Sequence, residues 1–467
     1  MRGSVPTPRH TVTALLNARA ASEPDCVALM LDDARQLTYQ EWDRRSDAVA
    51  YRLRQRGLVA GEWVGLVFPA SGWLDYAVAY CGVLKAGGVA VPLSGHVSAD
   101  SVAAVLRQSG IAGVISGPGT TEPDAPGWHA RLPELTRDSM DVPPFPVQVH
   151  PTDTAQMLYT SGTTGLPKAV ATSHANLTHG LDPTARPRPL AHSTYCLHAF
   201  ALGTNAGQGM LVKALVAAPT TLIAPVFSAD SFAALIERYR VGSVFLVPSM
   251  AVELANARVH ERYDLSSVRL LSSTAAALPP AAAMTLAGIA PNVAVTSCYT
   301  STDAAAAELT MIFDPDRADA LGRPECAGQL RITAPNGRPV KAGETGLVRL
   351  RSVAPNRWYV NDPTAQARGF VDGWIATGDL GYLDADGCLH LVERADDLVE
   401  SGGLAMSTLR VEAALYDHPA VAAGGGGRGT APGARPSHRH RGGSGGWPRA
   451  GAGSEPASLP RRSAGPA

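Results

Sequence analysis

Tyr159-Thr160-Ser161-Gly162-Thr163-Thr164-Gly165-Leu166-Pro167-Lys168 is the stretch on which the fold turns. Just before it, Thr154-Ala155-Gln156-Met157-Leu158-Tyr159 reads as a short buried strand. Gly162 and Gly165 let the backbone approach an anion closely and turn its N–H groups inward. Ser161, Thr163 and Thr164 add neutral donors, and Lys168 adds a point charge. The run therefore suits a polyphosphate, although a Gly/Ser/Thr loop taken alone is most often plain surface. It is not a Walker A loop, which spaces two glycines by four residues and closes on Gly-Lys-Ser/Thr.

Upstream of that loop the chain alternates helical and strand patterns. Thr38 is a predicted N-cap, with Glu41 completing a capping box for a helix that Gly57 stops. Val64 to Phe68 reads as a buried strand, Trp73 to Ala86 as a helix and Val89 to Leu93 as the next strand. That is a βαβ unit, and it predicts a parallel sheet. Ser101 to Gln108 reads as a further helix and Gly113 to Ser116 as a further strand. Lys85 reads as a solvated helix-end residue favoured by the helix dipole. Gly117 to Pro151 is Pro/Gly-rich and reads as a surface excursion.

The chain has 467 residues, 45% of them hydrophobic, with a net charge of −1. It exceeds one ordinary domain and is globular in composition. There is no basic excess to argue for nucleic acid. The six cysteines are scattered singly, which excludes a zinc-type CxxC pair and fits a reducing cytoplasm. The N-terminus has no apolar h-region, and Ala77 to Leu93 is too interrupted to span a membrane.

The Tyr159–Lys168 run resembles the signature loop of the adenylate-forming superfamily: acyl- and aryl-CoA synthetases, nonribosomal adenylation domains and beetle luciferases. Leu84-Lys85-Ala86-Gly87-Gly88-Val89-Ala90-Val91-Pro92-Leu93 is similar to the family's "LKAGG…VPL" segment. The resemblance implies a large α/β N-terminal domain of βαβ-type parallel sheets, with a β-rich subdomain after Gly322-Arg323-Pro324. It also implies that Thr160, Ser161, Gly162, Thr163, Thr164 and Gly165 cover the ATP phosphates, with Lys168 among the catalytic groups.

Three later segments extend it. Cys298-Tyr299-Thr300-Ser301-Thr302-Asp303 resembles the family's "YGxTE". That implies Tyr299 on adenine, Thr302 on the α-phosphate and Asp303 as the Mg²⁺ ligand, one methylene shorter than the usual Glu; taken alone, Thr-Asp is a helix N-cap. Asp372-Gly373-Trp374 to Gly381 resembles "DGW…TGDLG" and implies Asp379 on the ribose hydroxyls. Leu391 to Leu398 is similar to the "GRxDD" linker, with Arg394 touching the ribose and Asp396 at the hinge. Asp384 to Gly387 reads as a hairpin turn.

The same resemblance places His198 and Phe200 beside the acyl pocket, with Ser273 and Thr274 where relatives carry glycines. A buried, satisfied histidine is the other reading of His198. Amino-acid-activating relatives carry an Asp after the aromatic residue. Ala201 stands there instead, which points to a carboxylic acid without an α-amino group and with an uncharged acyl or aryl tail. The reaction implied is activation of that acid by ATP and Mg²⁺ to an acyl-adenylate, then transfer to the thiol of CoA or of an acyl/peptidyl carrier protein. No nucleic acid or membrane partner is expected.

The expected division is 1–393 for the large domain, 394–421 for the hinge and a stub of the small C-terminal domain, and 422–467 for a disordered tail. After Val421 the Gly/Pro/Arg/Ser/His composition cannot bury a core. It reads as a reading-frame shift or an untended terminus. The family's C-terminal lysine has no counterpart in a Pro-Lys…Gly-Lys segment. The alternatives to a working ligase are therefore an impaired remnant that binds ATP or acyl-adenylate, and an enzyme that takes its C-terminal domain in trans.

Overall fold

The computed structural model describes residues 10–32, 34–94, 99–160, 168–290, 292–324, 330–395, 399–401 and 404–406. A nine-stranded sheet is built on six parallel strands. In spatial order they are Ala294–Tyr299, Leu270–Thr274, Ser243–Leu246, Tyr195–His198, Thr220–Ile223 and Val27–Leu31. Antiparallel strands finish both edges, Leu309–Ile312 and Arg323–Pro324 at one and Gln36–Thr38 at the other.

A seven-stranded sheet carries the βαβ unit that the sequence predicts. Trp63–Phe68 and Val89–Ser94 run parallel, joined by the helix Trp73–Lys85. The predicted helix and strand beyond them are Ala99–Ser109 and Gly113–Ser116. The predicted surface excursion is a correction in part, because Trp128–Arg131 adds a parallel edge strand to Gly113–Ser116. Thr154–Thr160 and Lys168–Ser173 pair antiparallel in the same sheet, and Trp358–Tyr359 pairs with the second of them.

Helices Val12–Ser22, Tyr39–Gln55 and Trp73–Lys85 share one core with Leu29, Leu31 and Ile223 of the first sheet and Val64, Leu66 and Phe68 of the second. Each sheet is buried on the faces these helices cover, which is why its strands are continuous apolar runs. The capping box is present: the Glu41 carboxylate accepts from the Thr38 backbone N–H at 3.0 Å, and the Glu41 N–H donates to the Thr38 hydroxyl at 3.2 Å. Helices Tyr39–Gln55 and Trp73–Lys85 meet closely at Gly82, where a Cβ would sit 2.4 Å from Val49 Cγ1. Lys85 corrects the sequence expectation. It is 1% exposed and donates to Asp47 at 2.6 Å and Asp43 at 2.7 Å.

The β-rich subdomain is an antiparallel five-stranded sheet of Leu330–Thr333, Gly346–Leu350, Trp374–Leu383, Phe370–Val371 and Leu389–Arg394. The turn at Asp384 to Gly387 is the predicted hairpin. Ile332, Val348, Leu350, Ile375 and Leu389 pack with Tyr299, Ala304 and Leu309, so this sheet closes over the end of the nine-stranded one. No helix among the described residues is long and apolar enough to cross a membrane.

Candidate active site

The strand Ala294–Tyr299 delivers Tyr299 to the edge of the antiparallel sheet, where its phenol donates to Asp379 Oδ2 at 2.5 Å. Asp379 is set by its own neighbours. Its N–H donates to the Thr377 hydroxyl at 3.2 Å, and that hydroxyl donates to the Val348 carbonyl at 3.1 Å. Gly378, just before Asp379 in the strand Trp374–Leu383, has φ +85°, a conformation other residues adopt only under strain. Asp379 lies directly across the ladder from Arg394, whose Nε is 3.6 Å from Oδ1. Burial raises the Asp379 carboxyl, while Tyr299 and Arg394 pull it back. Burial, and then the Asp379 anion, push the Tyr299 phenol well up.

Beyond Tyr299 the chain enters a tight loop. The Thr300 hydroxyl donates to the Ala307 carbonyl at 2.7 Å, and the Ser301 hydroxyl accepts from Ala304 N–H at 3.1 Å. Asp303 is half-buried, and its Oδ1 has no hydrogen-bond partner among the described residues. Burial raises its carboxyl; a hydrogen bond from Tyr359 and the charges of Lys168, Arg357 and Arg394 oppose that. Lys168 opens its strand opposite Thr160, with Nζ 5.3 Å from the Tyr359 ring centroid. Asp303 and Asp379 thus both feel Arg394, and the two clusters border one region.

In the same nine-stranded sheet, three strands over from Ala294–Tyr299, His198 is 1% exposed. Its Nδ1 accepts from the Phe200 N–H at 3.1 Å, which leaves the proton on Nε2. The ring lies edge-on to Trp73 and stacks on Phe200 at 5.4 Å, and burial pulls its pKa down to about 3. Phe200 belongs to an apolar cluster with Phe245 and Met210, and Lys213 Nζ sits 4.9 Å from the Phe245 ring centroid.

Ser273 and Thr274 part company, because alternate residues of a strand face opposite ways. Thr274 shares the Phe245 face with Leu270, Ser272 and its ladder partner Cys298, whose thiol burial pushes up to about 12. Ser273 shares the face of Leu271 and Val295 and is fully buried, and its hydroxyl has no hydrogen-bond partner among the described residues.

The sequence missed Tyr359 and the buried Arg357, which donates to Asn176, Asn205 and the Thr302 carbonyl. Its setting, Pro355-Asn356-Arg357-Trp358-Tyr359, carries no chemical pattern of its own; only the aromatic pair next to a cation was a signal. Ser161, Gly162, Thr163, Thr164, Gly165 and the hinge residue Asp396 lie outside the described residues.

Layered α/β sheets capped by an antiparallel one, with a tyrosine, two carboxylates and two cations at their shared end, define an enzyme of the adenylate-forming class. Residues 16–359 match the family model described as AMP-binding enzyme, and the chain belongs to that family. It is by class an AMP-forming acid–thiol ligase. It is 31% identical to a feruloyl-CoA synthase of an Amycolatopsis species, over 83% of this chain and 79% of that protein. It is 28% identical to 4-coumarate–CoA ligase 5 of Oryza sativa subsp. japonica, over 85% and 78%. The o-succinylbenzoate CoA synthetase of Bacillus subtilis, solved with its acyl-adenylate intermediate, shares the fold at a TM-score of 0.77 with 24% identity, covering 87% of this chain and 83% of that one.

Proposed function

We propose that this chain activates an aryl or acyl carboxylic acid lacking an α-amino group, using MgATP, and passes it to the thiol of CoA. The observation that carries this reading is the convergence of Tyr299, Asp379 and Arg394 with Asp303 and Lys168 at one end of the sheets. In it, Asp379 and Arg394 hold the ribose, Tyr299 the adenine, and Thr302 and Lys168 the phosphates. His198, Phe200 and Thr274 border the acyl group. The aromatic walls and the names of the relatives put ferulate and 4-coumarate first among candidate acids. A carrier-protein thiol is the other acceptor, to be tested beside CoA.

In the proposed reaction a carboxylate oxygen attacks the α-phosphorus, the bond to the bridging oxygen breaks, and pyrophosphate leaves. The thiol sulfur then attacks the acyl carbonyl, and AMP departs. The chain contributes position and charge: Lys168 and Arg394 face the anionic groups, and the apolar walls exclude water. Asp303 fits a Mg²⁺ site, since its buried Oδ1 is an anionic oxygen with no partner among the described residues. Bound there, the ion supplies charge neutralisation on the phosphates.

We further propose the division 1–393, 394–421 and 422–467, with Asp396 at the hinge, and a cytoplasmic setting in keeping with the free thiols of Cys26, Cys81, Cys196, Cys298 and Cys388. ATP–pyrophosphate exchange with a panel of acids, followed by thioester formation with CoA, tests the reading. Exchange stimulated by an aryl acid is the expected result. Because residues 422–467 hold no Pro-Lys…Gly-Lys segment, a second reading is kept: nucleotide binding without exchange, restored by an added C-terminal domain, would replace the first.

A further inference from the structure

Arg357 is the most expensively placed cation near the site. It is 5% exposed, and burial pulls its guanidinium down to about 10. Its Nε donates to Asn176 Oδ1 at 2.9 Å, and its Nη1 donates to Asn205 Oδ1 at 2.7 Å and to the Thr302 carbonyl at 2.8 Å. Asn176 in turn donates to the carbonyls of Ala305 and Pro355, each at 2.8 Å. Asn176 lies in the one-turn helix His174–Leu177 that follows the strand Lys168–Ser173, and Asn205 opens the helix Asn205–Ala214. One planar fork therefore ties the hairpin, a helix and the Thr302–Ala305 loop together.

The node is backed by more buried polar groups. Tyr80 donates to Gln156 at 2.8 Å and Tyr76 to Gln208 at 2.9 Å, while Gln156 Nε2, Gln208 Nε2 and Thr172 Oγ1 have no partner among the described residues. Buried ions and half-satisfied networks are a poor source of stability compared with apolar packing. Their effect here is geometric. Lys168 stands on one tied element and Asp303 on another, whereas the Tyr299–Asp379 contact joins strands that the node does not touch.

We propose that Arg357 is a positioning residue that holds the Thr302–Asp303 loop in register with the Lys168 hairpin, and so sets affinity for the polyphosphate of MgATP and not for its nucleoside. The inference rests on the ATP-dependent reading above. Lysine at this position keeps the charge but loses the fork, so it cannot reach Asn176, Asn205 and Thr302 together.

The test is calorimetric binding of MgATP and of adenosine to the 467-residue chain, as wild type, Arg357→Lys and Asn205→Ala, with circular dichroism to confirm folding. In each folded variant the MgATP-to-adenosine ratio of dissociation constants should rise at least fivefold over wild type. A smaller rise overturns the inference, because a purely structural role moves both ligands together. If Arg357→Lys does not fold, Asn205→Ala decides alone. A wild-type chain that binds neither ligand overturns the underlying reading and this one with it. A wild type that binds both, with indifferent variants, overturns the inference only.

Discussion

Tyr299 and Asp379 stand 80 residues apart in sequence, yet the phenol of one donates to the carboxylate of the other at 2.5 Å. That bond joins the nine-stranded sheet to the antiparallel one and fixes a partly buried carboxylate at their seam. The anion is disfavoured by its surroundings, so the groups that hold it matter for function as much as for packing.

Asp379→Asn should separate stability from binding. The folded-state carboxyl is raised from 3.8 by burial, so its contribution to stability is fully present below that value and is lost as pH rises through the raised one. The isosteric amide should therefore melt higher than wild type at neutral pH, with the difference shrinking toward pH ~4. Losing a charged acceptor should weaken nucleotide binding about tenfold or more. Thermal melts across pH and nucleotide titration check both, and a variant that melts lower at neutral pH would count against the account of Asp379.

His198 and His174 predict acid lability. Burial pulls their pKa values from 6.5 down to about 3 and about 4. The unfolded chain takes up these protons first, so stability falls as pH drops below 6.5. His198→Phe removes one such group and keeps the stack on Phe200. Urea melts between pH ~4 and ~6.5 should show a slope shallower by up to about 1.4 kcal/mol per pH unit. An unchanged slope would mean His198 is not held neutral.

Lys85→Met leaves Asp43 and Asp47 without their shared cation in an interior site. Breaking such a buried cluster by removing one partner should destabilise the chain by about 3–5 kcal/mol. A urea midpoint close to wild type would show the site to be wetter than it looks.

Phe245→Ala opens the wall that Phe200 and Met210 share. Loss of about 1.5–3 kcal/mol of apolar contact should raise KM for an aryl acid tenfold or more and leave KM for MgATP unchanged. Steady-state kinetics with each substrate varied in turn would reveal a parallel rise in both, which would place Phe245 outside the acyl pocket.

The sequence by itself determined the βαβ order, the Thr38 capping box and the hairpin at Asp384 to Gly387, and the resemblance of its short motifs put forward Lys168, Tyr299, Asp303, Asp379 and Arg394 as candidates. These are legible because each is carried by a short run whose residue types and spacing are local. The tertiary structure alone decided that Lys85 is buried between two aspartates, that Thr274 and not Ser273 faces Phe245, and that Arg357 grips Asn176 and Asn205, 181 and 152 residues away. Face and burial depend on which strands pair and which helices cover them. A single residue in an unpatterned stretch shows its partners only once the sheets have brought them within a hydrogen bond's length.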